Sequence, residues 1–368
     1  MDTYVCAASP RLRWILGSGV NRNMTEFLAG GRAEPCTADK VRFMLEPGSY
    51  PHRPEGVESI ETHFAWVFFA GPYAYKLKKP VSHGALDLRT LAARERDCRD
   101  ELRLNRRLAQ DIYLETLPLC ADGRGKLKLG NGGRPVDWLV KMRRLPAGRM
   151  LDTAIRDGTL RPEELRPLVK KLVRFYRDTP QTKITAGQYL KRLAELITQN
   201  ERELCRKKFE LDPEFVASVG AAQRAYLDEN PSVFAGRVRE HRIVEAHGDL
   251  RPEHIYLGDE SHPEPAVIDC LEFSRDLRIM DCADELAFLA LECERLDAAE
   301  VGALIIQYYR EYSGDDAPDP LVRFYKSLRA CVRATLSVWH LLDPDTGPSA
   351  HWIRQATEYL TMAKRYLT

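Results

Sequence analysis

Within HGDLRPEHIYL, residues 247 to 257, three reactive side chains (His247, Asp249 and His254) fall inside eight positions. Three arrangements use such a set: a loop presenting a carboxylate for phosphoryl transfer, a cluster of metal ligands, or a polar turn ahead of a strand. Phosphoryl transfer makes the most specific demands. It needs a cation on the phosphates, an acidic residue that orients the acceptor hydroxyl and takes its proton, and a further carboxylate for the divalent metal. Asp249 has the type and setting of the base, and Asp269, ending AVID 20 residues later, that of the metal carboxylate. Lys76 in YAYKLKKP is the candidate phosphate cation, and Glu101 in the next helix the carboxylate that holds it extended. Strand alternation places Lys78 on the same face, which makes it the rival for that role. His247 is expected to brace the loop through backbone bonds.

These residues need elements to hold them. VESIETH, AWVFFA and YAYKLKKPV are short β-branched and aromatic runs, the last two joined by the Gly71-Pro72 turn signal. LRTLAARERDCRDELRLNRRLAQDI follows, with Leu91, Cys98, Leu102 and Leu108 at helical spacing on a charged ground. GKLKLGNGGRPVDWLVKMRRLP alternates around Asn131-Gly132-Gly133, which predicts a β-hairpin. The order β-β-β-α-β-β predicts an antiparallel sheet with one helix packed on it. Beyond Pro146 the patterns are helical, interrupted by HIYLG and PAVIDCLEF, the runs that carry His254 and Asp269. The expected organisation is an extension over 1–38, a β-rich lobe over 39–145 and a helical lobe over 146–368. The fold class is α+β.

Composition narrows the setting. With 368 residues, 44% hydrophobic and 30% charged, the chain has ample material for a core. A net charge of +1 gives no global signal for nucleic acid or an anionic membrane. Nine cysteines are scattered without CxxC or zinc spacing, so a reducing cytoplasm is the expected home. No apolar run approaches the ~20 residues of a membrane span. The N-terminal MDTYVCAASPRLRWILGSGV lacks the apolar stretch of a signal peptide. GSGVNR (17–22) imitates half of a dinucleotide fingerprint but lacks its third glycine and a following βαβ unit.

Together, HGDLRPEHIYL, AVIDCLEF and MDCADELAFL resemble the C-lobe signature of the aminoglycoside phosphotransferase family, which has a protein-kinase-like two-lobe fold. More narrowly, ETHFAWVFFAGPYAYKLKKPV followed by DELRLNRRLAQDIYL is similar to the phosphotransferase half of a group of largely uncharacterised bacterial proteins. Some of those carry an added P-loop ATPase domain. The sequence has no GxxxxGK[ST], so that domain is not expected here. The resemblance spans about residues 40 to 365. It implies a small antiparallel β lobe with one main helix, a large helical lobe, and ATP bound between them. The backbone of the connecting segment at Met142, Arg143, Arg144 and Leu145 would meet the base. It also implies transfer of the γ-phosphate to a hydroxyl of a small molecule. By motif position Asp249 becomes the catalytic base, with His247 in the same catalytic loop, and Asp269 a Mg²⁺ ligand. Lys76 becomes the phosphate lysine and Glu101 its partner. Asp281 and Asp284 would fix the loops, Asp284 by capping the DELAFL helix.

Two positions depart from the family pattern. The residue five after the catalytic aspartate is usually an asparagine that binds metal through its amide oxygen. Here it is His254, whose imidazole suits Mn²⁺ or Zn²⁺ better than Mg²⁺. Either the metal preference has moved, or one metal site is lost, or Glu272 supplies the missing oxygen. The loop ETHFA has no glycine, so phosphate contact there falls to Thr62, His63 or backbone amides. Two alternatives stay open: an ATP-binding regulatory protein without transfer, and a metal-dependent hydrolase built on His241, His247, Asp249 and His254. The acceptor site is expected in residues 180–240 and the last helices. LITQNERELCRKKFELDPEF mixes its charges, unlike the acidic groove that a polycationic aminoglycoside would need. No nucleic-acid or membrane partner is expected, and oligomeric state leaves no signal.

Overall fold

The computed structural model of the protein describes residues 35–83, 86–342 and 349–367. Most of the expected extension, residues 1–34, lies outside them. The chain divides into two compact units after Gly148.

In the first unit, helix α1 (Thr37–Leu45) precedes strands β1 (Val57–Glu61), β2 (Ala65–Ala70) and β3 (Tyr73–Lys78). The short pair β4 (Ser82–His83) and β5 (Leu86–Asp87) leads to helix α2 (Leu91–Asn105). Strands β6 (Tyr113–Ala121), β7 (Leu127–Leu129) and β8 (Arg134–Arg143) complete the unit. Six strands form one antiparallel sheet in the order β1-β2-β3-β8-β6-β7. Alternation along β3 sends Tyr75 and Leu77 into a core with Met44, Tyr50, Phe68, Leu119 and Leu139. Lys76 and Lys78 take the other face, where they meet carboxylates of α2. Helix α2 starts at a Thr90 cap, whose hydroxyl accepts the Ala93 N–H at 3.1 Å, and it packs on β8 and β6. Buried Asp137 of β8 ties both helices to the sheet: Lys40 of α1 donates to it at 2.7 Å and Arg94 of α2 at 2.6 Å.

The hairpin expected about Asn131-Gly132-Gly133 needs correction. Strand β7 pairs with β6 rather than with β8, and β8 runs along the opposite edge of β6. The tight turn sits one strand earlier, at Asp122, whose Oδ1 accepts the N–H groups of Arg124 at 2.7 Å and Lys126 at 2.9 Å. The glycine run crosses the end of β6. A Cβ on Gly133 would lie 2.4 Å from the Ala121 carbonyl oxygen, so only glycine passes there. Strand β6 is not apparent in the sequence because Pro118 interrupts its pattern. The chain tolerates that proline just outside the Leu119–Ala121 stretch that pairs with β7.

The second unit is mainly helical: α3 (Leu151–Arg156), α4 (Leu165–Asp178), α5 (Ala186–Leu204), α6 (Pro213–Glu229) and α7 (Pro231–Arg239). Strand β9 (Ile243–Glu245) and the pair β10 (Ile255–Tyr256) and β11 (Ala266–Val267) follow. A one-turn helix α8 (Arg275–Arg278), strand β12 (Ile279–Asp281), α9 (Cys282–Arg295), α10 (Ala299–Ser313), α11 (Asp319–Trp339) and α12 (Ser349–Arg365) complete it. Helix α9 is buried along most of its length and packs against α10 and α11. Gly302 of α10 allows the close approach, since a Cβ there would meet Ala290 of α9 at 2.9 Å. One core gathers Tyr189, Leu193, Phe234, Phe324 and Tyr325, and another Phe209, Phe288, Leu291, Val338 and Tyr359. This packed scaffold fixes the ends of β9, β10 and β11, where the polar motifs lie.

Candidate active site

The loop from Ala246 to His254 joins β9 to β10 and is held from three sides. Antiparallel pairing of β9 with β12 sets its entry, and the Ala246 N–H extends that ladder to the Arg278 carbonyl at 2.9 Å. Its exit is pinned where the Ile268 N–H donates to the His254 carbonyl at 2.9 Å. From beneath, the fully buried Glu285 of α9 accepts the N–H of Gly248 at 2.6 Å, the N–H of His247 at 3.2 Å and the Tyr176 hydroxyl at 2.9 Å. Gly248 takes φ +88°, and a Cβ on it would sit 3.1 Å from Arg278 and 3.2 Å from Leu271. The positive φ favours glycine in the HGD motif, and a side chain there would also crowd Arg278 and Leu271.

His247 is buried and committed to the backbone. Its Nδ1 accepts the Asp249 N–H at 3.4 Å, so Nε2 carries the hydrogen and donates to the Ile268 carbonyl at 2.9 Å. Burial, followed by the nearby His254, pushes its pKa down to about 3. With both nitrogens engaged by the backbone, the ring braces the loop.

Asp249 is 26% exposed at its side chain. Its Oδ1 lies 2.9 Å from Nε of Arg251, and its Oδ2 accepts from an NH2 of the same guanidinium at 3.0 Å. Burial alone would raise the Asp249 pKa, but Arg251, His254 and Arg333 outweigh it and hold the carboxyl below its ordinary range. Asp269 follows β11 with φ +60°, a left-handed conformation that is strained for a non-glycine residue. Its Oδ2 is 3.6 Å from Nε2 of His254. The other nitrogen of His254, Nδ1, donates to the Asp249 main-chain carbonyl at 2.9 Å, so Nε2 accepts an N–H of Arg251 at 3.1 Å on the side that faces Asp269, and a cation there would have to displace that guanidinium. That is the tautomer and the backbone anchor that a metal-binding histidine needs.

Glu272 does not complete this pair. Among the described residues no three of His254, Asp269, Glu272 and Asp249 bring ligand atoms mutually within 4.8 Å. The hydrolase set fares no better, because His241 is exposed and both nitrogens of His247 face the backbone. The cap of α9 is Asp281, which accepts the Ala283 N–H at 2.8 Å, and not Asp284, whose Oδ1 instead takes the Arg329 guanidinium at 2.7 Å. Glu285 and Arg251 escaped the sequence reading. A carboxylate in the first turn of a helix usually only complements the dipole, and an arginine after Asp-Leu reads as surface.

In the first unit the Lys76 ammonium lies 3.0 Å from Oε1 of Glu101. Lys78, which is more deeply buried, lies 2.5 Å from Oε2 of the same carboxylate and 2.9 Å from Asp97. One buried glutamate thus holds two lysines of one strand face. Thr62 is used within the β1–β2 turn: its N–H and hydroxyl both reach the Ala65 carbonyl, at 2.8 and 2.9 Å. His63 stacks edge-on against Phe64. Met142 is buried in β8, while Arg143 and Arg144 have their N–H groups on the Ile112 and Pro72 carbonyls, each at 2.9 Å. A nucleotide base could use those two amides only by displacing these bonds.

No family model matches the chain. Uncharacterised proteins of Mycobacterium tuberculosis and Mycobacterium bovis are each 34% identical over 323 residues, covering 83% of this chain. The chain spans 60% of the length of these relatives. Three solved structures share the architecture. A choline/ethanolamine kinase family protein from Mesorhizobium loti superimposes with TM-score 0.52 at 15% identity, over 89% of this chain and 94% of its own. The GDP complex of a mutant aminoglycoside 2′-phosphotransferase-IIIa gives 0.54 at 13%, over 89% and 97%. A choline kinase from Cryptosporidium parvum gives 0.51 at 12%, over 89% and 95%. The chain is an α+β protein with the protein-kinase-like two-lobe fold of the aminoglycoside phosphotransferases and choline kinases.

Proposed function

We propose that the protein is an ATP-dependent phosphotransferase that moves the γ-phosphate to a hydroxyl of a small-molecule acceptor. The observation that carries this reading is the pairing of two carboxylates across one imidazole: His254 anchors on the Asp249 carbonyl and turns Nε2 to Asp269. In this reading Asp249 orients the acceptor hydroxyl and receives its proton, and the Lys76–Glu101 pair serves the nucleotide phosphates. Lys78 sets the charge of that pair. Asp269 and His254 would hold the divalent cation, which when bound offsets phosphate charge. The nitrogen ligand favours Mn²⁺ over Mg²⁺.

ATP binding without transfer is the second reading, and one observation favours it: the candidate base is covered by Arg251. The eight cysteines among the described residues are free, which fits the cytoplasm as the setting we propose. No helix among the described residues is long and apolar enough to cross a membrane. The test is ADP release from ATP against a panel of hydroxyl-bearing metabolites, with Mg²⁺ and Mn²⁺ in parallel and Asp249→Asn as control. Acceptor-dependent release that the substitution abolishes supports transfer. Tight ATP binding without turnover favours the regulatory reading.

A further inference from the structure

Glu292 of α9 is buried and gathers two arginines. Its Oε2 lies 3.3 Å from Nε of Arg295 on the same helix, and its Oε1 lies 3.2 Å from Nε of Arg333 on α11. The buried Tyr359 hydroxyl of α12 reaches both oxygens, at 2.8 and 3.1 Å. The guanidinium carbons of Arg295 and Arg333 stand 5.4 and 5.7 Å from the centre of the Tyr359 ring. Two cations thus share one carboxylate and one ring, and each spends only its Nε there. Among the described residues no acceptor takes an N–H from NH1 or NH2 of either arginine.

We infer, resting on the phosphotransferase reading, that Arg295 and Arg333 form an oxyanion site that binds a phosphate or carboxylate group of the acceptor. The first argument is charge. Two guanidinium ions against one buried carboxylate leave a surplus of positive charge. The two cations repel each other, and a second anion on their free edges relieves that repulsion. A quaternary ammonium or a polyamine would meet like charge at the same wall.

The second argument is shape. A planar guanidinium offers parallel N–H groups that match two oxygens of a carboxylate or phosphate at once. The side chains of Arg295 and Arg333 are 31% and 17% exposed, so their free edges meet solvent while Nε is anchored. Glu292 and the Tyr359 ring hold both forks in place before any ligand arrives, which lowers the entropy lost on binding.

The third argument is place. The turn of residues 252–254, which follows Asp249, packs on α9. Burial would raise the Glu253 carboxyl, but Arg251, then His254 and Arg333, hold it below its ordinary range. The positive charge of Arg333 acts on Asp249 in the same direction. The two forks therefore stand beside the candidate base, where a hydroxyl brought to Asp249 would carry its remaining groups.

The experiment titrates wild type, Arg295→Gln, Arg333→Gln and Arg333→Lys with ADP and Mn²⁺, and then with five probes. These are inorganic phosphate, glycerol 3-phosphate, glycerate, glycerol and choline. All four proteins should bind ADP within about threefold of one another, which also reports that the variants fold. Wild type should hold the three anions about tenfold or more tightly than glycerol or choline, and each glutamine variant should lose about tenfold of that affinity, with Arg333→Lys between. Glycerol 3-phosphate against glycerate tells a phosphate site from a carboxylate site. For any anionic acceptor that turns over, Arg333→Gln should raise KM and leave kcat within about threefold. Anion binding that both glutamine variants retain overturns the inference, and so does choline held as tightly as glycerol 3-phosphate. A wild type that binds ADP but none of the anions also overturns it. A wild type that binds phosphate through the two arginines but binds no ADP sinks the phosphotransferase reading instead, and leaves an anion site with no acceptor role.

Discussion

The Glu285 carboxylate takes the main-chain N–H of Gly248 at 2.6 Å, so the loop that presents Asp249 hangs from one side chain of helix α9. The same carboxylate also receives the His247 N–H and the Tyr176 hydroxyl, three donors on one anion. Glu285→Gln keeps the shape but turns an NH2 toward at least one of these donors. We expect a loss of about 1–3 kcal/mol in urea unfolding, from a buried donor left unsatisfied. Displacement of the loop should lower ADP release by up to about 10²-fold. Tyr176→Phe, which spares both amide contacts, should cost about 1 kcal/mol and leave turnover nearly unchanged. Equal turnover losses in the two variants would refute the loop-positioning role.

Lys76 and Lys78 share Glu101 but should fail differently. Lys78 is almost fully buried between Glu101 and Asp97, and Lys78→Met strands buried negative charge, at a cost of about 3–5 kcal/mol. Lys76 is the more exposed of the two, and its loss leaves Lys78 to balance Glu101. Lys76→Met should therefore lower the unfolding midpoint little and weaken ATP affinity instead. Calorimetric melting and nucleotide titration of the two variants separate these outcomes. If Lys78→Met melts like wild type but loses ATP, the roles are exchanged.

What could be read in the sequence follows from how local each signal is. The alternation of β1 to β3 and the helical spacing of α2 are properties of neighbouring residues, and the structure forms those elements where the patterns lie. The strand β6 hides behind Pro118, and the partner of β7 is chosen by a turn at Asp122 that competes with a more conspicuous glycine run. The Lys76–Glu101 contact could be guessed because strand alternation and one helix settle it. The Glu285 contact could not, since three acidic residues (Asp281, Asp284 and Glu285) begin α9 and only packing decides which one caps, which pairs with Arg329 and which holds the loop. The Arg251 clamp is equally silent, because the turn of residues 252–254 folds its side chain back onto Asp249.

His247 gives the stability a pH dependence of definite sign. Its pKa is depressed from the ordinary 6.5 to about 3, so the unfolded chain binds the proton more readily. The stabilisation is complete above pH 6.5 and is lost as pH falls from there toward 3. The slope it adds approaches about 1.4 kcal/mol per pH unit in that window. His247→Gln lacks the titrating ring, so its unfolding midpoint should fall less steeply between pH 6.5 and 4.5. Parallel curves for the two proteins would show that the ring is protonated in the native state.

The strain at Asp269 can be separated from its chemistry. At φ +60° a glycine is at ease, whereas alanine carries the same Cβ conflict as aspartate. Asp269→Gly and Asp269→Ala both remove the carboxylate and should both abolish metal-dependent ADP release. Asp269→Gly should nevertheless be the more stable of the two by about 1 kcal/mol in urea. If alanine is as stable as glycine, the backbone there is not left-handed in solution.

His254 should set the metal preference. Its Nδ1 is tied to the Asp249 carbonyl, which places Nε2 3.6 Å from an Asp269 oxygen. Once the Arg251 N–H on Nε2 is displaced, one nitrogen and one oxygen at that separation can share a cation that accepts imidazole, as Mn²⁺ does and Mg²⁺ does reluctantly. Wild type should then turn over faster with Mn²⁺ than with Mg²⁺. His254→Asn replaces the nitrogen by an amide oxygen and should shift the ratio toward Mg²⁺ by about tenfold or more, which corresponds to about 1.4 kcal/mol. ADP release with each metal at saturating ATP gives the ratio directly. An unchanged ratio would mean that His254 serves only to hold Asp249 and Arg251, with the cation resting on Asp269 and other oxygens.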